Sequence, residues 1–208
     1  MERGQLADIN PELWQTCTSV GETAWCHIAD HKYKTSGTIL ADLVDIVSKN
    51  GVMLLNVGPR ADGTIPEEEQ RLLLEVGDWL AVNGEAIYGT RPWKVYGEGP
   101  TQVVSGTFND TKRSPFTAQD VRFTARGEQL LYAAIMGWPE NGISVIETLG
   151  SRSKLLAGEI LKVELLGSTE EMKWSREGEG LTVHLPDSVR DRGISVLRIE
   201  HAAPEMAR

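Results

Sequence analysis

Lys49-Asn-Gly-Val-Met-Leu-Leu-Asn-Val-Gly58-Pro-Arg-Ala-Asp-Gly-Thr-Ile-Pro66-Glu-Glu-Glu69 is the stretch whose reading decides the fold. Val52 to Val57 is an apolar run of strand length. Gly51 precedes it and Gly58-Pro59 stops it, the pattern of a strand buried on both faces. Gly58 to Ile65 is rich in turn formers. Pro66 then opens a helix, where its missing N–H costs nothing. Glu67, Glu68 and Glu69 fill the first turn, where acids favour the positive end of the helix dipole.

Helical patterns lie on both sides of this strand. Upstream, Ile39, Leu40, Leu43, Val44, Ile46 and Val47 recur at spacings of three and four, which predicts a helix over Thr38 to Lys49. Asp42, Asp45 and Lys49 fall on its other face. Thr35 or Ser36 is the expected cap, and Gly51 the expected left-handed residue past its end. Downstream, Leu72, Leu73, Val76, Trp79 and Leu80 mark the buried face of a helix from Pro66 to Val82, stopped at Asn83-Gly84. Helix, strand, loop and helix make the repeating unit of an α/β barrel or a doubly wound sheet.

The flanks differ from this unit. Residues 1 to 34 show no sustained period, and their best strand candidate is Thr23 to Ile28, through Trp25. Arg91-Pro92-Trp93 and Gly97-Glu98-Gly99-Pro100 look like a connection between domains. After Thr101 the chain reads as short strands: Val121–Ala125, Gln129–Met136, Ile143–Leu149, Ile160–Leu166, Lys173–Ser175, Leu181–Leu185 and Ile194–Ile199. Turn residues punctuate the gaps, which predicts an antiparallel sandwich. Residues 202–208 carry no pattern and are expected to fray.

Composition limits the function classes. The 208 residues allow one large domain or two small ones, and the net charge of −9 with no basic run argues against a nucleic-acid partner. No apolar stretch approaches membrane-spanning length, so no membrane partner is expected. The N-terminus lacks a signal-peptide core, which leaves localisation open. Cys17 and Cys26 leave a disulfide open, although unpaired thiols are favoured. Cys17, Cys26, His27 and His31 do not have a usual zinc spacing, so no metal is expected. No cofactor is expected, since no P-loop or dinucleotide fingerprint is present.

Leu54-Leu-Asn-Val-Gly-Pro-Arg-Ala-Asp-Gly-Thr-Ile-Pro66, followed by Trp79-Leu-Ala-Val-Asn-Gly-Glu-Ala-Ile-Tyr-Gly-Thr-Arg-Pro-Trp93, resembles the end of the catalytic barrel of the α-L-fucosidases in glycoside hydrolase family 29. The match is long and barely gapped, extends over nearly the whole chain and weakens after Lys94. It implies α/β followed by all-β: residues 1–95 as the C-terminal part of a (β/α)8-like barrel, and residues 101–202 as a C-terminal antiparallel β-sandwich. A complete barrel takes on the order of 250 residues. Residues 1–95 are therefore expected to form an incomplete one, and the chain to be a C-terminal fragment inactive alone.

The resemblance also implies a function: a retaining exo-glycosidase that releases L-fucose from fucosylated oligosaccharides or glycoconjugates. Such an enzyme needs two carboxyl groups across the scissile bond. The family's Asp nucleophile lies in a Trp-x-Asp motif, and no Trp-x-Asp occurs in these 208 residues. The acid/base Glu maps by resemblance to Glu2, which precedes Trp14-Gln15 by the family's spacing of about a dozen residues. Trp25 maps to the aromatic residue that packs on the sugar, although Cys26-His27 replaces the family's Gly-Tyr. Asn56, Arg60 and Asp62 lie at or past the carboxyl end of the decisive strand, with Asp62-Gly63 favoured as turn chemistry. An incomplete barrel exposes sheet edge and apolar surface, so poor solubility or association of copies is expected of the chain alone. The alternative is a non-catalytic glycan-binding or scaffolding sandwich that uses exposed Trp138 or Trp174.

Overall fold

The computed structural model describes residues 1–203; most of the patternless tail lies outside the described residues. The chain begins with a parallel pair, β1 (Trp14–Ser19) and β2 (Gly51–Asn56), joined by helix α1 (Ser36–Ser48). Trp14 stands opposite Gly51 and Ser19 opposite Asn56. Glu2 adds an isolated parallel bridge to Cys17, so three segments run side by side in one direction: Glu2, β1 and β2. Helix α2 (Glu67–Asn83) follows, and eight strands complete the chain: β3 (Arg91–Glu98), β4 (Val121–Arg126), β5 (Leu130–Ile135), β6 (Ile143–Ile146), β7 (Ile160–Leu165), β8 (Lys173–Arg176), β9 (Leu181–His184) and β10 (Ser195–His201).

The first strand is at Trp14–Ser19, while the expected strand at Thr23–Ile28 is loop. The apolar pattern misleads here because β1 buries hydroxyls. Thr16 and Thr18 are 1% and 4% exposed. The Thr16 hydroxyl donates to the Gly4 carbonyl, and that of Thr18 to the Asp110 carboxylate. A buried hydroxyl with a partner is tolerated, but a hydrophobicity count does not see it.

Helix α1 is capped by Thr35, whose hydroxyl accepts from the Thr38 N–H at 3.1 Å. Asn50, not Gly51, takes the left-handed turn (φ 68°). Gly51 is needed for a different reason: a Cβ there would lie 2.6 Å from the Trp14 ring and 2.7 Å from Ile46 Cγ2. The polar face of α1 is not solvated. Asp42, Asp45 and Lys49 are 2%, 0% and 0% exposed. Asp45 accepts from Lys49 Nζ at 2.7 Å and from Arg122 Nε on β4 at 2.6 Å. Asp42 accepts from Arg113 Nη2 and from Gln5 Nε2, each at 2.7 Å. One face of α1 is apolar core, and the other is an ionic seam against the β strands.

β2 is not buried on both faces. Met53 and Leu55 pack against the helical core, while Val52 and Leu54 are 42% and 55% exposed. Successive side chains point to opposite faces of a strand, and here only one face is covered.

The remaining strands form the sandwich. A five-stranded sheet in the order β3-β4-β5-β10-β7 faces a three-stranded sheet in the order β6-β9-β8, and every pairing is antiparallel. Phe123, Leu131, Ile135, Leu197 and Ile199 meet Ile146, Leu181 and Val183 between the sheets. Full burial of such side chains contributes about 1.5–3 kcal/mol each. Each of the seven strand runs read after Thr101 holds a strand, although the run Ile143–Leu149 is strand only to Ile146 and turns into a short 3-10 helix over Glu147–Leu149. The stretch around Arg91-Pro92-Trp93, expected as a connection, is strand β3. It lies at the sheet edge, where the missing N–H of Pro92 does no harm. Tyr132, Ala134 and Val196, on the opposite face of the larger sheet, join Leu72, Val76 and Trp79 of α2 in one apolar cluster. That sheet therefore has the smaller sheet on one side and the helices on the other.

Candidate active site

Ligands of α/β barrels bind at the carboxyl ends of the parallel strands. β1 leaves that end into the loop that carries Trp25, and β2 leaves it into Gly58–Ile65. Glu2 stands level with Cys17, near the carboxyl end of β1. Its strand segment is held on both sides of it: the Arg3 N–H donates to the Cys17 carbonyl at 2.7 Å, and the Cys17 N–H to the Met1 carbonyl at 3.1 Å. The Glu2 carbonyl accepts from the Phe108 N–H at 3.1 Å, while its side chain is exposed.

Arg3 is the residue that ties this end together. It is 5% exposed and adopts a left-handed backbone conformation (φ 46°). Its Nη2 donates to the carbonyls of Gly21 and Glu22 at 3.2 and 2.5 Å. The same atom lies 3.2 Å from the Asp110 carboxylate. Its guanidinium carbon stands 5.3 Å from the centre of the Trp25 ring. Asp110 also accepts from Lys34 Nζ and from the Thr18 hydroxyl, both at 2.7 Å. Burial opposes ionisation of Asp110, but the hydrogen bonds from Lys34 and Thr18 and the charges of Lys34 and Arg3 outweigh it. The carboxyl is held below its ordinary range.

Trp25 is half-buried, and its loop is pinned from the β2 side. Asn56, the last residue of β2, donates its side-chain amide to the Trp25 carbonyl at 2.7 Å. The Gly58 N–H donates to Glu69 Oε2 at 2.8 Å, and a Cβ on Gly58 would lie 2.8 Å from the His27 nitrogen. Only glycine lets the two loops approach this closely. Glu69 is 1% exposed, so one of the three first-turn acids of α2 is a buried acceptor for the neighbouring loop. Tyr33, near the end of the Trp25 loop, has its hydroxyl pushed up by burial and then by the charge of Glu69.

The structure thus brings Glu2 and Trp25 to one end of the parallel strands, joined through Arg3. Asp62 accepts from the Thr64 N–H and hydroxyl at 3.0 and 2.7 Å, which holds its exposed carboxyl below the usual range. It closes a turn, as its sequence context implies. Trp138 and Trp174 are partly buried, each packed against the sandwich core. Cys17 and Cys26 are free thiols. Among the described residues, no group of three or more His, Cys, Asp and Glu is placed to hold a metal ion. A groove of about 960 Å³ opens between α1, α2 and the sandwich, with Glu22, Lys34 and Asp110 in its wall. Neither Glu2 nor Trp25 lines it. Sequence reasoning missed Arg3, Lys34 and Asp110, because the pairing joins residues distant in the chain and no local spacing announces it.

Comparison with known proteins decides the family. The profile of α-L-fucosidase matches residues 1–85, and that of the α-L-fucosidase C-terminal domain matches residues 113–200. The chain belongs to the α-L-fucosidase family. Tissue α-L-fucosidase of Bos taurus is 36% identical over 179 residues, covering 83% of this chain and 32% of that protein. Plasma α-L-fucosidase of Homo sapiens is 33% identical, over 85% of this chain and 34% of that protein. The structure of Thermotoga maritima α-fucosidase in complex with fucose superposes with a TM-score of 0.70 at 28% identity, over 92% of this chain and 40% of that one. This chain therefore spans about a third of the length of the curated fucosidases it matches. In the family's architecture, Glu2, β1, β2 and the two helices are the C-terminal part of the barrel. The antiparallel strands are its β-sandwich.

Proposed function

We propose that this chain supplies the acid/base side of a retaining α-L-fucosidase active site, with Glu2 as general acid and base and Trp25 as the face on which the fucose ring stacks. One observation carries the reading: Glu2 and Trp25, mapped independently onto the family pattern, lie at the same end of the parallel strands and are linked through Arg3. In this reading Glu2 protonates the leaving oxygen. It then deprotonates the water that attacks the fucosyl intermediate. The nucleophile is a second carboxylate from barrel strands beyond those described here, since these 208 residues hold no Trp-x-Asp. The substrate is a fucosylated oligosaccharide or glycoconjugate, whose apolar C–H face packs on Trp25.

Two assays of the chain test this. L-Fucose is expected to perturb tryptophan fluorescence, with the response lost in Trp25→Phe. Hydrolysis of 4-nitrophenyl α-L-fucoside is expected to be absent. Enzyme-like turnover by the chain alone would show that both carboxyls are within it and would overturn the division of roles.

A further inference from the structure

We infer that Arg3 is a positioning residue for the proposed reaction, locking the Trp25 platform to the strand that carries Glu2 so that the two keep one separation. The inference rests on the fucosidase reading above and extends it to a residue that touches neither sugar nor reacting atoms.

The argument begins with the backbone. Arg3 follows Glu2 directly, and its N–H is fixed to Cys17 on β1. Its φ of 46° lies in the left-handed region, which a non-glycine residue keeps only where its surroundings hold it there. Its carbonyl accepts from the N–H groups of Asn109 and Asp110 at 2.9 and 3.1 Å, and the side chain adds further ties. One guanidinium makes three kinds of contact: its Nη2 donates to the Gly21 and Glu22 carbonyls, the same atom pairs with Asp110, and its plane lies near the Trp25 ring. A planar, delocalised cation can lie over the indole while one of its nitrogens serves the carbonyls and the carboxylate, whereas an ammonium has no flat face to present to Trp25. Gly21 and Glu22 start the loop that carries Trp25, so that loop is held at its stem and at its tip by the residue next to Glu2.

The partners make the claim testable without unfolding the protein. Asp110 keeps Lys34 and Thr18 if Arg3 is removed, so Arg3→Gln leaves no buried carboxylate unpaired. The test is 19F NMR of the chain labelled with 5-fluorotryptophan. Among the six tryptophan lines, that of Trp25 is assigned by its loss in Trp25→Phe. Arg3→Gln and Arg3→Lys are both expected to shift the Trp25 line and leave those of Trp79 and Trp93 in place. Amide exchange over residues 21–28 is expected to quicken about tenfold, as for a loop released into local opening. An unmoved Trp25 line in Arg3→Gln overturns the assignment. So does a change of all six lines together, which would mean general destabilisation. A line restored in Arg3→Lys would show that charge alone suffices and would refute the stacked guanidinium.

L-Fucose titration separates this inference from the one beneath it. Arg3→Gln is expected to weaken L-fucose binding about tenfold, roughly a 1.4 kcal/mol change, read from the tryptophan fluorescence. If the unaltered chain shows no L-fucose response while Arg3→Gln still moves the Trp25 line, the fucosidase reading fails and the coupling of Arg3 to Trp25 stands.

Discussion

The side-chain amide of Asn56 donates to the backbone carbonyl of Trp25 at 2.7 Å, so the last residue of β2 fixes the loop that leaves β1. One parallel strand thereby holds its neighbour's loop at the end where barrel enzymes work. Asn56→Ala is expected to cost about 1 kcal/mol in stability, the usual net value of one hydrogen bond. Its larger effect is local: hydrogen exchange over 23–28 should rise while that of β4 and β5 does not. Unchanged exchange in the loop would mean that the amide does not hold it.

The ionic seam on α1 makes a second prediction. Asp45→Ala leaves Lys49 and Arg122 buried without their shared carboxylate, a change expected to cost about 3–5 kcal/mol in urea denaturation. The Arg152–Glu179 pair, 78% and 82% exposed, is the control; Arg152→Ala should fall within about 1 kcal/mol of the unaltered chain.

Asp120 contributes to the acid limb of stability. It is fully buried and accepts from the N–H and hydroxyl of both Thr101 and Thr117. Burial raises its carboxyl, but these hydrogen bonds outweigh burial and hold it below the ordinary range. A carboxyl depressed in the native state adds stability above its unfolded pKa. That stability is lost as the pH falls through the native pKa. Asp120→Asn is expected to remove about 1.5–3 kcal/mol at neutral pH and to flatten the decline below about pH 4. Equal slopes in the two proteins between neutral and acid pH would contradict this.

Packing at the start of β2 is tight enough to read in a single methyl. Gly51→Ala would place a carbon 2.6 Å from the Trp14 ring, and the resulting overpacking is expected to cost about 1–3 kcal/mol. Thermal or urea denaturation of this variant measures it. No loss of stability would show that Trp14 can move aside.

The open face of β2 predicts self-association. Leu13, Val52 and Leu54 are 71%, 42% and 55% exposed beside the parallel pair. A double Leu13→Lys, Leu54→Lys variant should sediment as a smaller species than the unaltered chain at equal concentration. Identical sedimentation would place any association elsewhere.

What was legible in the sequence followed from residues whose environment is apolar. Ile39, Leu40, Leu72, Val76 and Trp79 announce their helices because periodic apolar positions are what a core requires. The sandwich strands were legible for the same reason. β1 was not, because Thr16 and Thr18 replace apolar burial with paired hydroxyls. β3 was obscured by Pro92 and glycine, which an edge strand tolerates. The burial of Asp42 and Asp45 was invisible because their partners, Arg113 and Arg122, come from the far part of the chain. At the site, Glu2 and Trp25 were reached through family resemblance rather than local pattern. The network joining them was missed because Asp110 meets Arg3 only in the folded chain.

The most direct test of the central claim joins this chain to the earlier barrel strands of the Thermotoga maritima enzyme and measures cleavage of a fucosyl disaccharide. With Glu2 as acid and base, Glu2→Ala should slow that reaction by about 10²–10⁴. It should spare the first step with 2,4-dinitrophenyl α-L-fucoside, whose leaving group needs no proton, and added azide should restore turnover. A Glu2→Ala chimera that cleaves the disaccharide as fast as the unaltered chimera would contradict the account.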